Sequence, residues 1–112
     1  MNSMLSWSDF EKLDMRVGTI LEAHPFPKAK KPAYQLLIDF GDLGLRKSSA
    51  QITKFYSEEA LVGQQVVAVV NFPPKQIANF VSECLVLGVY DENKDVVLLG
   101  PKSTMTNGMK VG

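Results

Sequence analysis

Few side chains in this sequence could do covalent or proton-transfer chemistry, and their surroundings argue against it. His24, the only histidine, stands next to Pro25 with no carboxylate or nucleophile set beside it by a recognisable motif, so a surface or packing role is expected. Cys84 heads an apolar run, where an inert buried thiol is the usual outcome. Ser48-Ser49 lacks the G-x-S-x-G elbow, and Gly41-Asp42-Leu43-Gly44 is too short to cradle a phosphate and leads into no helix. A single cysteine excludes both an internal disulfide and a cysteine-based zinc site and suits a reducing cytoplasm. The expectation is a protein that is not an enzyme and uses no cofactor or metal.

Non-covalent binding is better supplied. Phe26, Tyr34, Phe72, Pro73, Pro74, Ile77 and Phe80 are apolar groups in or beside loops, although Tyr34 and Phe80 also read as core. Proline and aromatic side chains lose little entropy when they are covered, so together they suit a shallow groove for an extended or partly unfolded peptide. Lys28, Lys30, Lys31 and Lys75 lie around them in sequence and would favour acidic or phosphate-bearing partners, unless they are simply a solvated rim. Across the whole chain, twelve basic and twelve acidic residues cancel. A dedicated nucleic-acid binder usually carries a basic excess to replace counterions, so tight nucleic-acid binding is not expected from composition.

These residues need a scaffold, and 112 residues with 46% apolar content suffice for a single domain, 1–112, with one core. No apolar run approaches a membrane span, and the N-terminus has no basic segment followed by an apolar one, so a cytoplasmic protein without membrane insertion is expected. Val66 to Val70 reads as a strand covered on both faces, and Phe72-Pro73-Pro74 must end its ladder because prolines donate no N–H. Tyr34, Leu36, Ile38 and Phe40 alternate onto one face of another strand. Asp14 to Glu22 reads as the first strand, with Gly18 suggesting a bulge or a sharp coil of the strand, and Leu43 to about Ser49 as the third. Cys84 to Tyr90, a polar turn Asp91 to Lys94, and Val96 to Leu99 form a hairpin. The tail, with Asn107-Gly108 as a turn, adds a last short strand. Ser8 and Glu11 have capping-box spacing for an N-terminal helical turn to about Leu13, and Ser57 with Gly63 brackets a second. The sum is an all-β fold, a small OB-type barrel of five to six short strands with short helices.

Two segments, Asp14-Met15-Arg16-Val17-Gly18-Thr19-Ile20 and Asn71-Phe72-Pro73-Pro74-Lys75-Gln76-Ile77 with Ser82-Glu83, resemble the OB-fold tRNA-binding-domain family found appended to some aminoacyl-tRNA synthetases. Ser48 to Thr53 and Val69 to Pro74 resemble its stand-alone bacterial members, homodimeric chaperones linked to protein secretion. The likeness runs from Asp9 to Val111. It implies an ATP-independent, homodimeric chaperone for unfolded or export-precursor polypeptides, with the secretion machinery as a partner. The alternative it implies is a tRNA-binding module in which Arg16, Lys28, Lys30, Lys54 and Lys75 contact phosphate while Asn71, Ser82 and Glu83 shape the pocket. Relatives that bind tRNA typically read His-Pro-x-Ala-Asp-Lys-Leu where this chain has His24-Pro25-Phe26-Pro27-Lys28-Ala29-Lys30, and Ser-x-Gly-Met where it has Ser82-Glu83-Cys84-Leu85. Both departures weaken the tRNA reading and leave the fold untouched. A dimer would double the one shallow face such a module offers, with Trp7, Phe10, Leu13, Met105 and Met109 as its expected contacts.

Overall fold

The long first strand organises the fold because it serves two partners in succession. The computed structural model describes residues 3–112. β1 (Met15–Pro25) pairs antiparallel through its first half with β4 (Gln65–Val69) and through its second half with β2 (Tyr34–Asp39). The change of partner is accompanied by a register shift between Ile20 and Glu22, an irregularity that lets the strand bend around a barrel. Gly18 is not the bulge that its place in the strand suggested. A Cβ there would lie 2.7 Å from Ile38 Cγ2 and from the Phe40 ring, so the glycine makes room for core side chains of β2 and the segment after it.

β3 (Leu45–Ala50) and β7 (Leu85–Val86) complete a sheet of order β3-β2-β1-β4-β7, a nearly closed, five-stranded small OB-type barrel. Ile20, Leu36, Ile38, Phe40, Val66, Ala68 and Val70 fill it, as the alternation in β2 and the apolar run in β4 predict. At the open seam, side-chain bonds and one main-chain bond replace a ladder. Lys47 N–H donates to Glu83 Oε1 at 2.9 Å, Glu83 N–H to Lys47 O at 2.7 Å, and Ser49 N–H to Ser82 Oγ at 3.2 Å. Ser48, fully buried, donates to Cys84 O at 3.1 Å. An edge that would otherwise expose backbone groups is thereby satisfied from within.

The barrel sheet has five strands, as expected, and among the described residues four further short strands lie outside it. They have two sources: β5 (Lys75–Ile77) and β6 (Phe80–Ser82) make a hairpin where the sequence suggested a loop, and the last apolar runs break into β7, β8 (Gly88–Tyr90) and β9 (Val96–Leu98). β3 begins at Leu45 rather than Leu43, after a 3-10 turn over Gly41–Leu43. The tail contributes a single bridge, Arg16 to Lys110, and no strand.

Two short helices frame the barrel. α2 (Glu58–Leu61) is capped by Ser57, which accepts from Ala60 N–H at 3.2 Å, and Gly63 follows at φ +93°, as expected. α1 (Trp7–Glu11) is capped by Ser6, which accepts from Asp9 N–H at 3.1 Å, and not by Ser8. Both serines have an acidic residue three positions on, so local spacing does not choose between them. Consequently Trp7 lies inside the helix, Leu13 lies beyond it, and none of the helix's residues is buried.

Candidate functional site

After β4 the chain is held by polar bonds and then released into a stiff corner. Val70 O accepts from Arg46 Nη1 at 2.9 Å and Val70 N–H donates to Asp14 O at 2.8 Å. Asn71 accepts from Asp14 N–H at 3.0 Å and donates to Lys12 O at 2.7 Å. Two prolines follow, lacking donors and fixed in φ, and Phe72 stands on them 50 % exposed. The corner and the seam between them wall an apolar groove of about 710 Å3, lined chiefly by Phe72, Pro73, Pro74, Ile77, Cys84 and Leu85.

A second groove of about 600 Å3 adjoins it and shares Ser49, Lys75, Gln76 and Ile77. Lys28, Lys30, Lys31 and Lys75 converge there around Ala29, Ala33 and Ala78. The two grooves therefore form one trough with an apolar end and a cationic end, and β5 runs between them. No salt bridge engages these four lysines among the described residues.

Three aromatic residues expected to line the groove serve other ends. Phe26 is 4 % exposed and Phe80 9 %; their rings lie 5.4 Å apart at 59° and make a second small core with Ala33, against which Ala29 and Ile77 pack. Lys47 Nζ sits 5.4 Å above the Phe80 ring. This cluster anchors the 26–33 loop and the β5–β6 hairpin, so it supports the trough from beneath without walling it. Tyr34 is half-buried against the barrel core and donates to Tyr56 O at 2.7 Å. Phe72, Pro73, Pro74 and Ile77 are brought together as expected.

The residues of the tRNA alternative divide similarly. Lys28, Lys30 and Lys75 meet in the cationic groove, but Lys54 lines neither groove. Arg16 is committed to Asp14 at 2.6 Å and to Gly108 O at 3.0 Å. Asn71 and Glu83 spend their side chains on backbone groups, which makes them structural, while Ser82 lines the apolar groove with its hydroxyl already bonded. Leu85, Gln76 and Ser49 were not singled out by the sequence. Leu85 follows Cys84 in the apolar run and is 47 % exposed.

Cys84 lies on the floor of the groove, and burial pushes its thiol up to about 11, so it stays protonated and inert at neutral pH. His24 is exposed and pairs with Glu22 Oε1 at 3.0 Å, a surface role. Near the N-terminus Trp7 is 86 % exposed, and Leu5, Leu13, Met105 and Met109 are also exposed. Trp7, Phe10 and Leu13 share a groove of about 500 Å3 with Lys110, Val111 and Gly112.

Residues 15–110 match the family model described as "putative tRNA binding domain". The chaperone CsaA of Bacillus anthracis strain Ames superposes with a TM-score of 0.94 at 55% identity, covering 98% of this chain and 100% of that one. The CsaA chaperone protein of Picrophilus torridus gives 0.91 at 50% identity, covering 97% and 100%. The methionine–tRNA ligase of Porphyromonas gingivalis is 37% identical over 96% of this chain, which spans only 15% of that enzyme's length.

Proposed function

This chain belongs to the tRNA-binding-domain family, and on that premise we propose that it is a CsaA-type chaperone that captures unfolded or export-precursor polypeptides without ATP. The observation that carries this reading is the apolar groove at the Phe72 corner: a half-exposed phenylalanine, two prolines and Leu85, held open by a rigid backbone. Rigid apolar groups of this kind bind an extended segment with little ordering cost. In this reading residues 1–112 act as one cytoplasmic domain without catalytic activity, and the secretion machinery receives its clients.

A homodimer is part of the proposal. Trp7, Phe10 and Leu13 beside the C-terminal segment form an exposed apolar face that a second copy would cover, doubling the number of grooves. Light scattering that finds only monomer at micromolar concentration removes this element.

A second reading, binding of tRNA, is favoured by the meeting of Lys28, Lys30, Lys31 and Lys75 in one groove. Zero net charge and the commitment of Arg16 to Asp14 count against high affinity. Affinities for tRNA and for an unfolded precursor peptide, each measured across salt, separate the readings. The proposal requires submicromolar peptide binding near physiological salt and much weaker tRNA binding; the reverse order transfers the site to tRNA.

A further inference from the structure

The hairpin between the two halves of the trough is paired on one side only. β5 meets β6 through Lys75–Ser82, Gln76–Val81 and Ile77–Phe80, and no other strand adjoins it. Ala78 and Asn79 make a two-residue turn, so Ile77 and Phe80 form the backbone-bonded pair that closes it. Bonded and non-bonded pairs alternate along an antiparallel ladder, so Lys75–Ser82 is the next bonded pair. Gln76 falls between them, and its backbone N–H and C=O are directed away from β6. Neither group has a partner among the described residues; the Gln76 side chain bonds Ala78 O. Gln76 lines both grooves, so this free edge lies where the apolar and cationic ends of the trough meet.

Resting on the peptide-capture reading, we propose that an extended polypeptide binds by adding a strand to the free edge of β5. Gln76 N–H and C=O bond its main chain, apolar side chains go towards Phe72, Pro74 and Leu85, and acidic side chains go towards Lys28, Lys30 and Lys31. A main-chain donor and acceptor on one residue match the paired groups of another strand, which a nucleic-acid backbone does not offer. The lysines fix the charge of the partner: an apolar segment followed by carboxylates satisfies both ends of the trough. Recognition through the main chain demands little of client sequence, which suits a binder of varied unfolded chains. The edge is also blunt, because Pro73 and Pro74 have no N–H and Ala78 turns the chain. Only a short stretch pairs, so capture stays reversible, and edge-to-edge association of two copies through β5 is discouraged.

The test uses a synthetic peptide of alternating valine and serine followed by aspartates, and a series in which each amide is N-methylated in turn. Affinity is read by fluorescence anisotropy, and the Gln76 amide by hydrogen exchange. Strand addition predicts one N-methyl position that weakens binding about five- to tenfold, the loss of one hydrogen bond, while others cost less than about twofold. Peptide should slow exchange at Gln76, and Gln76→Pro, which removes a donor that β6 does not use, should weaken binding similarly. If Gln76→Pro does not fold, the N-methyl series decides alone. Peptide binding with a flat N-methyl series and unchanged Gln76 exchange overturns strand addition and leaves capture standing. Failure of the peptide to bind while tRNA binds overturns both.

Discussion

Phe26 and Phe72 both sit beside prolines in chain segments that leave the barrel, yet Phe26 is 4 % exposed and Phe72 is 50 % exposed. Prolines fix the local backbone in both cases; what differs is the opposing surface. The loop after Phe26 folds back, with Phe26 N–H donating to Ala33 O at 3.1 Å and Ala29 N–H to Phe26 O at 3.2 Å, and brings the ring onto Phe80. Phe72 follows Val70 and Asn71, which are bonded to Arg46 and Asp14, and its ring stays half in solvent at the wall of the apolar groove. The same residue type beside proline is therefore a buried staple in one place and a half-exposed groove wall in the other.

The largest expected effect tests the staple. Phe26→Ala removes a buried ring that also shields Phe80 and should cost about 3 kcal/mol in chemical denaturation, as buried Phe→Ala changes do. A loss below about 1 kcal/mol would mean that the loop does not depend on this contact. The apolar floor of the groove gives the next effect. The Cys84 thiol is raised from 9.0 to about 11 by burial, so the folded state holds its proton more tightly than the unfolded state. That stability is fully present below pH 9.0 and is lost as pH rises towards about 11, on the order of 2 kcal/mol in total. Denaturation from pH 8 to 11 should show this slope in the native chain and a shallower one in Cys84→Ala; equal slopes would place the thiol in contact with solvent.

Phe72→Ala is the counterpart to Phe26→Ala. Stability should change by no more than about 0.5 kcal/mol, since half the ring is already in water. Affinity for an unfolded peptide should fall about tenfold, near 1.4 kcal/mol, with tRNA affinity little altered. A peptide affinity unchanged by this substitution removes the corner from the site.

Periodicity made the barrel readable. The alternation of Tyr34, Leu36, Ile38 and Phe40, the all-apolar Val66 to Val70 and the Ser57 cap each express a local rule, and the chain obeys them. Of the residues that line the trough, the sequence singles out Phe72, Pro73, Pro74, Ile77, Ser82 and the lysines. What stayed hidden depends on pairs of distant residues: Phe26 with Phe80, Lys47 with Glu83, Ser49 with Ser82, and Asn71 with Asp14. Nothing local in a sequence says that a loop phenylalanine will find another, or that a glutamate will bond a backbone N–H across a seam. The family likeness implies that Arg16 contacts phosphate and that Asn71 and Glu83 shape a pocket; in the structure all three side chains bond groups of this chain, pairings that nothing local in the sequence announces.

The smallest effect concerns the turn that brings the two regions together. Ala78 has φ +53°, one of two non-glycine residues among those described with positive φ, in a hairpin anchored below by the Phe26–Phe80 contact and facing the cationic groove above. A Cβ disfavours that conformation, whereas glycine adopts it freely at some cost in unfolded-chain entropy. Ala78→Gly should therefore raise stability by about 0.5 kcal/mol, the strain relieved exceeding the entropy lost. If the turn is held rigidly by the cluster beneath it, the gain appears as slower unfolding and peptide affinity stays constant. If affinity falls along with the gain, the strained turn itself is setting the angle of β5 towards its ligand. Combining Ala78→Gly with Phe26→Ala distinguishes the two cases. Costs that add describe independent turn and staple, and a non-additive pair describes one coupled support beneath the groove.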